Sequence, residues 1–516
     1  MYSVGVVTLL QLLWEHELPS SFVLVTLGLF LSLVFLCRRN QRHQDTPAHL
    51  PRFFLFNTFT FFRRRYDFFV WGFQVTGQRL FQFRLLRNNV VVVSGEQGRR
   101  DFFNAKGLDL QEGFVILSGA LPIIHGVTTG LRQQRVARIY RRLANAQRSE
   151  RLTELIPEIL NDGRRLLQPW EKAGTLDPFD RIYELIFQAT VRCLTCTEIA
   201  DDPEIVARLR QLFDKVDRGT TPATVLFPWF PSSAMVSKAR ATKQIYDIIV
   251  NAIKVREQSG VSHNDNLQLF LDSGDEMSTI AGFMIGLVTA GARSTGNTAS
   301  WLITYLGCHP RWRDEARAEV ENLISSHALD TISACDSPLQ SSTALSSIPL
   351  TAWESETPVM DMLIRETLRI AQPHTAMRRN VGPETYIDGK VIPTGTLVVY
   401  PFSDVHLNPA LYPDPWRFDP TRPQLQADSA YVGWGGGRVT CLGSRTARLT
   451  MKLVTALLLL DFDFDTVDEN GRIADPHPIP NWNDDLACRP VRGQFFLKHK
   501  SLDFPCGRRS PGTHPL

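Results

Sequence analysis

One cysteine in this chain is framed for chemistry by its neighbours. The run Trp434-Gly435-Gly436-Gly437-Arg438-Val439-Thr440-Cys441-Leu442-Gly443 bends a glycine-rich backbone around Cys441, and an apolar helix is expected behind it, from Leu449 to Leu460. Glycines permit tight turns and close approach to a flat cofactor. The N–H groups of such a bend and the N-terminus of the next helix stabilise negative charge on sulfur. A haem iron held by a cysteine thiolate is the chemistry that uses this arrangement, for O–O cleavage. Alone, the run equally fits an inert, buried cysteine in a turn; the rest of the chain supplies the weight.

Three further features precede it in order. Ala290-Gly291-Ala292-Arg293-Ser294-Thr295 lies in a long helix expected to run to about Gly307. The Ala290-Gly291 pair strips bulk from one face, and Ser294, four residues on, shares that face, with Asn297, Thr298 and Trp301 continuing it. Hydroxyl and amide groups there could bind dioxygen or a water chain; the plainer reading is a small-residue contact between crossing helices. Glu366 and Arg369, three apart, can pair on one helix face. The irregular stretch Pro413 to Arg422 supplies a further arginine.

Order, spacing and residue types together resemble the cytochrome P-450 superfamily, the haem-thiolate monooxygenases, over essentially everything after residue 52. The oxygen-binding helix is followed by His309-Pro310, the Glu366/Arg369 pair is joined by Arg422 of a PERF-like stretch, and the cysteine loop closes the set. The resemblance implies haem b with Cys441 as the axial iron ligand, and Glu366, Arg369 and Arg422 as a structural triad. It makes Arg378, Arg379 and Arg135 candidates for the haem propionates, puts Trp434 and Arg438 beside the cofactor, and gives Ser294 and Thr295 the catalytic hydroxyls. Electrons would come from NADPH through a separate NADPH–cytochrome reductase, since no G-x-G-x-x-G follows a strand here.

Departures from the family pattern are specific. Val439 stands where an arginine is usual, with Arg438 one position earlier. Trp434 replaces phenylalanine, and Leu131 replaces the tryptophan of the propionate helix. Arg293 occupies the place of the acid in the oxygen-binding motif and Ser294 that of its threonine. A guanidinium does not deprotonate at neutral pH, so Arg293 cannot relay a proton.

The elements that must position these residues read as mainly helical with small β-sheets, one large helical domain behind an N-terminal transmembrane helix. A hairpin is expected from Leu80–Leu86 and Val90–Ser94, turning at Arg87-Asn88-Asn89. A mostly helical stretch covers about 99–324, and a second β region lies near 380–400. The stretch Ser325 to Pro358 reads as a surface insertion. Cys193 and Cys196 have zinc-like spacing without a second pair, and read as buried helix cysteines. The proline-bounded aromatic loop Leu226–Pro231 fits either core packing or an entry near the membrane, and its large aromatics suit a bilayer interface.

Residues 18–37 carry no charge, and Arg38, Arg39 and Arg42 follow at once. Roughly 20 residues span about 30 Å as a helix, the thickness of a bilayer core. The positive flank puts the body in the cytosol. The layout is therefore a lumenal segment at 1–17, an anchor at 18–37, a linker at 38–52, the haem-thiolate domain at 53–503 and a disordered tail at 504–516, a single-pass protein of the endoplasmic reticulum membrane. A formal net charge of +3 gives no reason to propose nucleic acid as a partner.

The activity implied is hydroxylation, epoxidation or other oxidation of an apolar small molecule. The stretch Leu345 to Glu354 and the tryptophan-type loop resemble enzymes of fungal secondary metabolism. Two other readings stand beside it: a reductase-independent isomerase or dehydratase of an oxygenated substrate, motivated by Arg293, and a non-enzymatic haem-binding protein.

Overall fold

The structure, a computed structural model, describes residues 45–51, 54–118, 144, 147–327, 340–425 and 430–502. The expected anchor at 18–37, the stretch holding Leu131 and Arg135, and the tail at 504–516 lie outside them. Among the described residues no helix is long and apolar enough to cross a membrane.

Six helices frame the site: α1 (Ser149–Leu167), α2 (Pro178–Leu194), α3 (Pro203–Arg218), α4 (Met277–Cys308), α5 (Pro358–Ala371) and α6 (Ser444–Asp461). Two of them start on one local signal. Asp177 accepts from the Phe179 N–H ahead of α2, and Asp202 from the Glu204 and Ile205 N–H groups ahead of α3. The proline that follows each aspartate has no N–H to leave unpaired and is pre-set for the first turn.

The 32-residue α4 is the spine of the molecule. Its last third, Thr298 to Cys308, is buried on every face, as a core helix must be. Small residues bring α2 against it. A Cβ on Gly291 would sit 2.9 Å from Leu194 Cδ1, and one on Gly296 only 2.5 Å from the Tyr183 ring. Each glycine costs the helix about 0.5–1 kcal/mol. The fully buried Trp301 outweighs that: it packs edge-on to Phe179 at 5.2 Å and donates Nε1–H to the Cys488 carbonyl at 2.8 Å. Burying a ring of that size contributes about 4–6 kcal/mol. The same apolar cluster takes in Leu152 of α1, Ile182 of α2, Leu363 of α5 and Leu453 of α6.

Strands are short. In chain order they are β1 (Ala48–His49), β2 (Leu80–Leu85), β3 (Asn88–Val93), β4 (Leu108–Asp109), β5 (Ala173–Leu176), β6 (Thr375–Asn380), β7 (Thr385–Ile387) and β8 (Lys390–Ile392). Then come β9 (Leu397–Pro401), β10 (Gly435–Gly436), β11 (Val439–Thr440), β12 (Phe462–Val467) and β13 (Phe496–Ser501). They form a six-stranded sheet in the order β1-β2-β3-β9-β6-β4, a sheet β12-β13-β5 and two hairpins, β7-β8 and β10-β11.

Two expectations are corrected. The first hairpin turns at Leu86-Arg87, with Leu86 at φ 52°, while Asn88 and Asn89 already pair with Leu85 and Arg84. A two-residue turn matches the strand twist, and only this register pairs buried Val90–Val93 with buried Leu80, Phe81 and Phe83. The apolar pairing wins over the turn preference of asparagine. The second correction concerns residues 340–358, which are not a surface insertion. Helices Gln340–Ser346 and Leu350–Ser355 place Leu345, Ile348 and Trp353 at 0–1% exposure in the main core. The Ser/Thr richness hid three large apolar side chains. Cys193 and Cys196 are both buried, as free thiols at the end of α2 and just beyond it.

Candidate functional site

The cysteine loop is a two-stranded hairpin closed by glycine. Gly435 pairs with Thr440 and Gly436 with Val439, so Gly437 and Arg438 form the turn. Gly435 (φ 81°) and Gly437 (φ 55°) are left-handed, and a Cβ on either would sit 2.6 Å from a carbonyl oxygen, of Val439 and Phe103 respectively. The loop rests on the Glu96–Asn104 helix: the Phe103 ring faces Gly436, and Arg438 N–H donates to the Phe103 carbonyl at 3.1 Å. Cys441 N–H donates to the Trp434 carbonyl at 2.7 Å, and α6 starts three residues later.

Cys441 is the exposed cysteine among the described free thiols; Cys193, Cys196, Cys308 and Cys488 are buried, and burial holds each of those thiols above the ordinary cysteine range. Cys441 opens to solvent, yet the surrounding protein removes enough water to raise its thiol as well. The Gly443 N–H bonded to it and the Arg448 charge pull the other way. A coordinated metal takes the proton off such a thiol outright.

Across from the loop lies α4. Ala290 and Ser294 are exposed, one turn apart, so the small face opens onto space rather than onto a packed neighbour. Gly291 points differently, onto Leu194 and Thr190, so the Ala290-Gly291 pair is divided between an open face and a helix crossing. Ser294 donates its hydroxyl back to the Ala290 carbonyl at 3.1 Å, and Thr298 does the same to the Ser294 carbonyl at 2.8 Å. Thr295 is buried. Asn297 Nδ2 donates to the Leu486 carbonyl at 2.8 Å, tying α4 to the 481–488 loop. Arg293 is turned away to α3, where Nε donates to Asp217 at 2.9 Å and Nη2 completes a two-pronged ion pair. Burial lowers its basicity, against the fields of Tyr183, Asp485, Asp484 and Asp214.

The remaining arginines separate by strand alternation. Arg378 is buried and its guanidinium lies 5.5 Å from the Phe102 ring centroid, on the same side of β6 as the Phe102–Phe103 pair beneath the cysteine loop. Arg379 points to Glu112 at 3.3 Å. Arg438 is exposed at the hairpin turn, and Trp434 is half-buried. Arg135 is outside the described residues.

Glu366, Arg369 and Arg422 meet. Glu366 Oε1 accepts from Arg369 Nη2 at 2.7 Å and from Arg422 Nε at 3.1 Å, while Arg369 Nε bonds Oε2 at 2.8 Å. Arg369 also donates to the carbonyls of His406 (2.7 Å) and Pro415 (2.8 Å), and Arg422 to those of Pro413 (2.7 Å) and Asp414 (2.8 Å). His406 was not singled out from sequence, where a lone histidine carries no signal. Fully buried and held neutral by desolvation, it accepts the Val432 N–H on Nε2 at 3.1 Å, two residues before Trp434. The triad thus reaches the cysteine loop through one imidazole.

The donor set suits a flat, iron-bearing macrocycle: an exposed thiol on a glycine hairpin and a buried guanidinium. A small cavity among α1, α2, α4 and α6 is lined by Leu155, Thr190, Leu194, Gly291, Thr295 and Ala447, with Gly443 at the start of α6. A Cβ on Gly443 would meet no atom within 4 Å. Cys441 and the buried cation Arg378 lie outside that lining; they are donors suited to an iron and to a carboxylate. Cys441 would hold the metal and Arg378 a propionate.

Two outcomes follow. Glu366→Gln leaves two guanidiniums facing a neutral amide and is expected to cost about 3–5 kcal/mol, read as a lower urea midpoint and as haem-free protein on purification. Arg293→Ala and Asp217→Ala should each loosen α3 from α4. The swap Arg293→Asp with Asp217→Arg should recover about 1 kcal/mol of coupling in a double-mutant cycle; strict additivity would show that the pair carries no coupling.

A family model described as Cytochrome P450 matches residues 46–495. The chain is 28% identical over 446 residues to cytochrome P450 monooxygenase AacuE of Aspergillus aculeatus, covering 83% of this chain and 87% of that protein. It is 29% identical over 467 residues to cytochrome P450 monooxygenase dmxR5 of Cryptosporiopsis sp., covering 86% and 90%. Sterol 14-demethylase of Arabidopsis thaliana is 26% identical over 443 residues, covering 82% and 84%. In fold, retinoic acid-bound cyanobacterial CYP120A1 superposes with a TM-score of 0.69 at 22% identity, over 89% of this chain and 99% of that one. The matched stretch contains the long helix, the buried triad and the cysteine hairpin alike, and the chain belongs to the cytochrome P450 family of haem-thiolate monooxygenases.

Proposed function

We propose that this P450 is a membrane-anchored, NADPH-driven monooxygenase that hydroxylates or epoxidises an apolar small molecule in fungal secondary metabolism. The observation that carries the reading is the presence of both an open thiol at Cys441 and an open small-residue face at Ala290 and Ser294, on two different elements. A haem-binding protein without turnover has no use for that second face. When bound, haem supplies the oxygen chemistry, with electrons from a redox partner. The chain's own residues do the rest. Gly443 N–H holds the sulfur, α4 walls off water and limits the size of what approaches, and Ser294 presents the lone pairs of a hydroxyl whose hydrogen is turned back to the helix.

Several features support the finer terms. Fungal relatives bear the name cytochrome P450 monooxygenase. The uncharged stretch 18–37 with arginines after it argues for a single pass through the endoplasmic reticulum membrane, with the body cytosolic and a membrane-bound NADPH–cytochrome reductase as partner. A second reading, reductase-independent rearrangement of an oxygenated substrate, draws on Arg293: committed to Asp217, it leaves no acid of α4 at the usual place.

The test uses the full chain in membranes with its reductase. The native protein should show the far red-shifted ferrous–CO Soret band of thiolate ligation and consume NADPH and O2 with product, whereas Cys441→Ser loses the band. Turnover without either reagent would instead establish the rearrangement. Deleting residues 1–37 should move the protein from carbonate-washed membranes to the supernatant, and retention there would refute the anchor.

A further inference from the structure

Arg448 lies seven residues after Cys441, in the second turn of α6, and nothing in the motif reading marked it. Its guanidinium carbon sits 5.2 Å from the centroid of the Trp434 ring, inside the range of a cation–π contact, for which tryptophan is the best partner. Trp434 is tied to Cys441 by the 2.7 Å backbone bond that closes the loop, and its half-buried ring packs on the main core, as does Ala447, next to Arg448. A second stack of the same kind stands beside it, with Arg365 4.2 Å from the Tyr431 ring. Arg438, the arginine nearest before the cysteine, makes its bond to the Phe103 carbonyl through the backbone, at the far end of the hairpin. Arg448, by contrast, is held on the ring of the residue whose carbonyl accepts the Cys441 N–H.

We propose that Arg448 is a positioning residue for electron uptake: it clamps the Trp434 indole over the cysteine loop and sets a fixed positive charge beside the thiolate, raising the electron affinity of bound haem. The inference rests on Cys441 being the iron ligand. Adding an electron makes the iron–sulfur unit more negative, so a nearby cation favours the reduced form and its removal favours the oxidised one. Arg448 is exposed, and solvent and salt therefore weaken its effect.

The experiment is a redox titration of the full-length haem protein, native and Arg448→Leu, at low and at 1 M salt. The variant should show about a threefold lower ferrous-to-ferric ratio at a fixed potential, roughly 28 mV at 59 mV per decade for one electron. The gap should close in 1 M salt, where the screening length is about 3 Å. Arg448→Lys should keep most of the native ratio, and the effect of Arg448→Leu should shrink in a Trp434→Phe background. The thiolate-type ferrous–CO band must be present throughout; its loss from the native protein would overturn the ligand assignment, a separate failure. An unchanged potential in Arg448→Leu overturns the proposal, including the case where only the dependence on reductase concentration changes. So does a shift equal in Arg448→Lys and indifferent to salt, which would be a packing effect. If Arg448→Leu does not retain haem, Arg448→Gln takes its place, and a native potential there has the same consequence.

Discussion

The Glu366 carboxylate is the interaction on which the site depends. It is almost fully buried and shared by two guanidiniums, one from its own helix and one from the chain leading to the cysteine loop. A buried ion pair is weak as a source of net stability, because desolvation consumes much of the attraction. Its value here is geometric. The two arginines hand out further donors to the carbonyls of His406, Pro413, Asp414 and Pro415. An irregular segment with no ladder of its own is thereby fixed at several points. His406 then takes the Val432 N–H, and the hairpin begins three residues on. Rigidity is passed from a helix to a loop through groups that would each be costly to leave unpaired.

A second constraint is the double duty of α4. One face must pack, which Gly291, Gly296 and Trp301 achieve, and another must stay open, which Ala290 and Ser294 achieve. Small residues serve both ends. Their helix penalty is offset by the aromatic burial further along the same helix, so the packed face stabilises a helix whose other face stays open at Ala290 and Ser294.

Much of this was legible. Cys441 among its glycines, the Glu366/Arg369/Arg422 set and the long small-residue helix each follow from residue types at fixed spacing. What escaped depended on tertiary placement. His406 has no local signature. Arg448 looks like any exposed helix arginine until the Trp434 ring is placed under it. The choice between Arg378 and Arg379 needed strand alternation in β6, which sends one toward Phe102 and the other to Glu112. The hairpin turn was misplaced because the burial of Val90–Val93 outweighs the local preference of asparagine. Residues 340–358 were misread because composition averaged Trp353 and Leu345 away.

Arg293 shows how the departures fit together. At the position of an acid it presents a cation, and the missing carboxylate reappears across the helix gap as Asp217. The ion pair ties α3 to α4, and the carboxylate stands on α3 rather than on α4. The hydroxyls left on α4 are no substitute as they stand. Ser294 and Thr298 both spend their hydrogens on carbonyls one turn back, so the exposed Ser294 offers lone pairs toward the open face, while Thr298 is buried. An acceptor can hold a water molecule, and water can carry the proton that guanidinium cannot. The ion pair holds the Arg293 side chain against α3, while Ser294 stays exposed on α4.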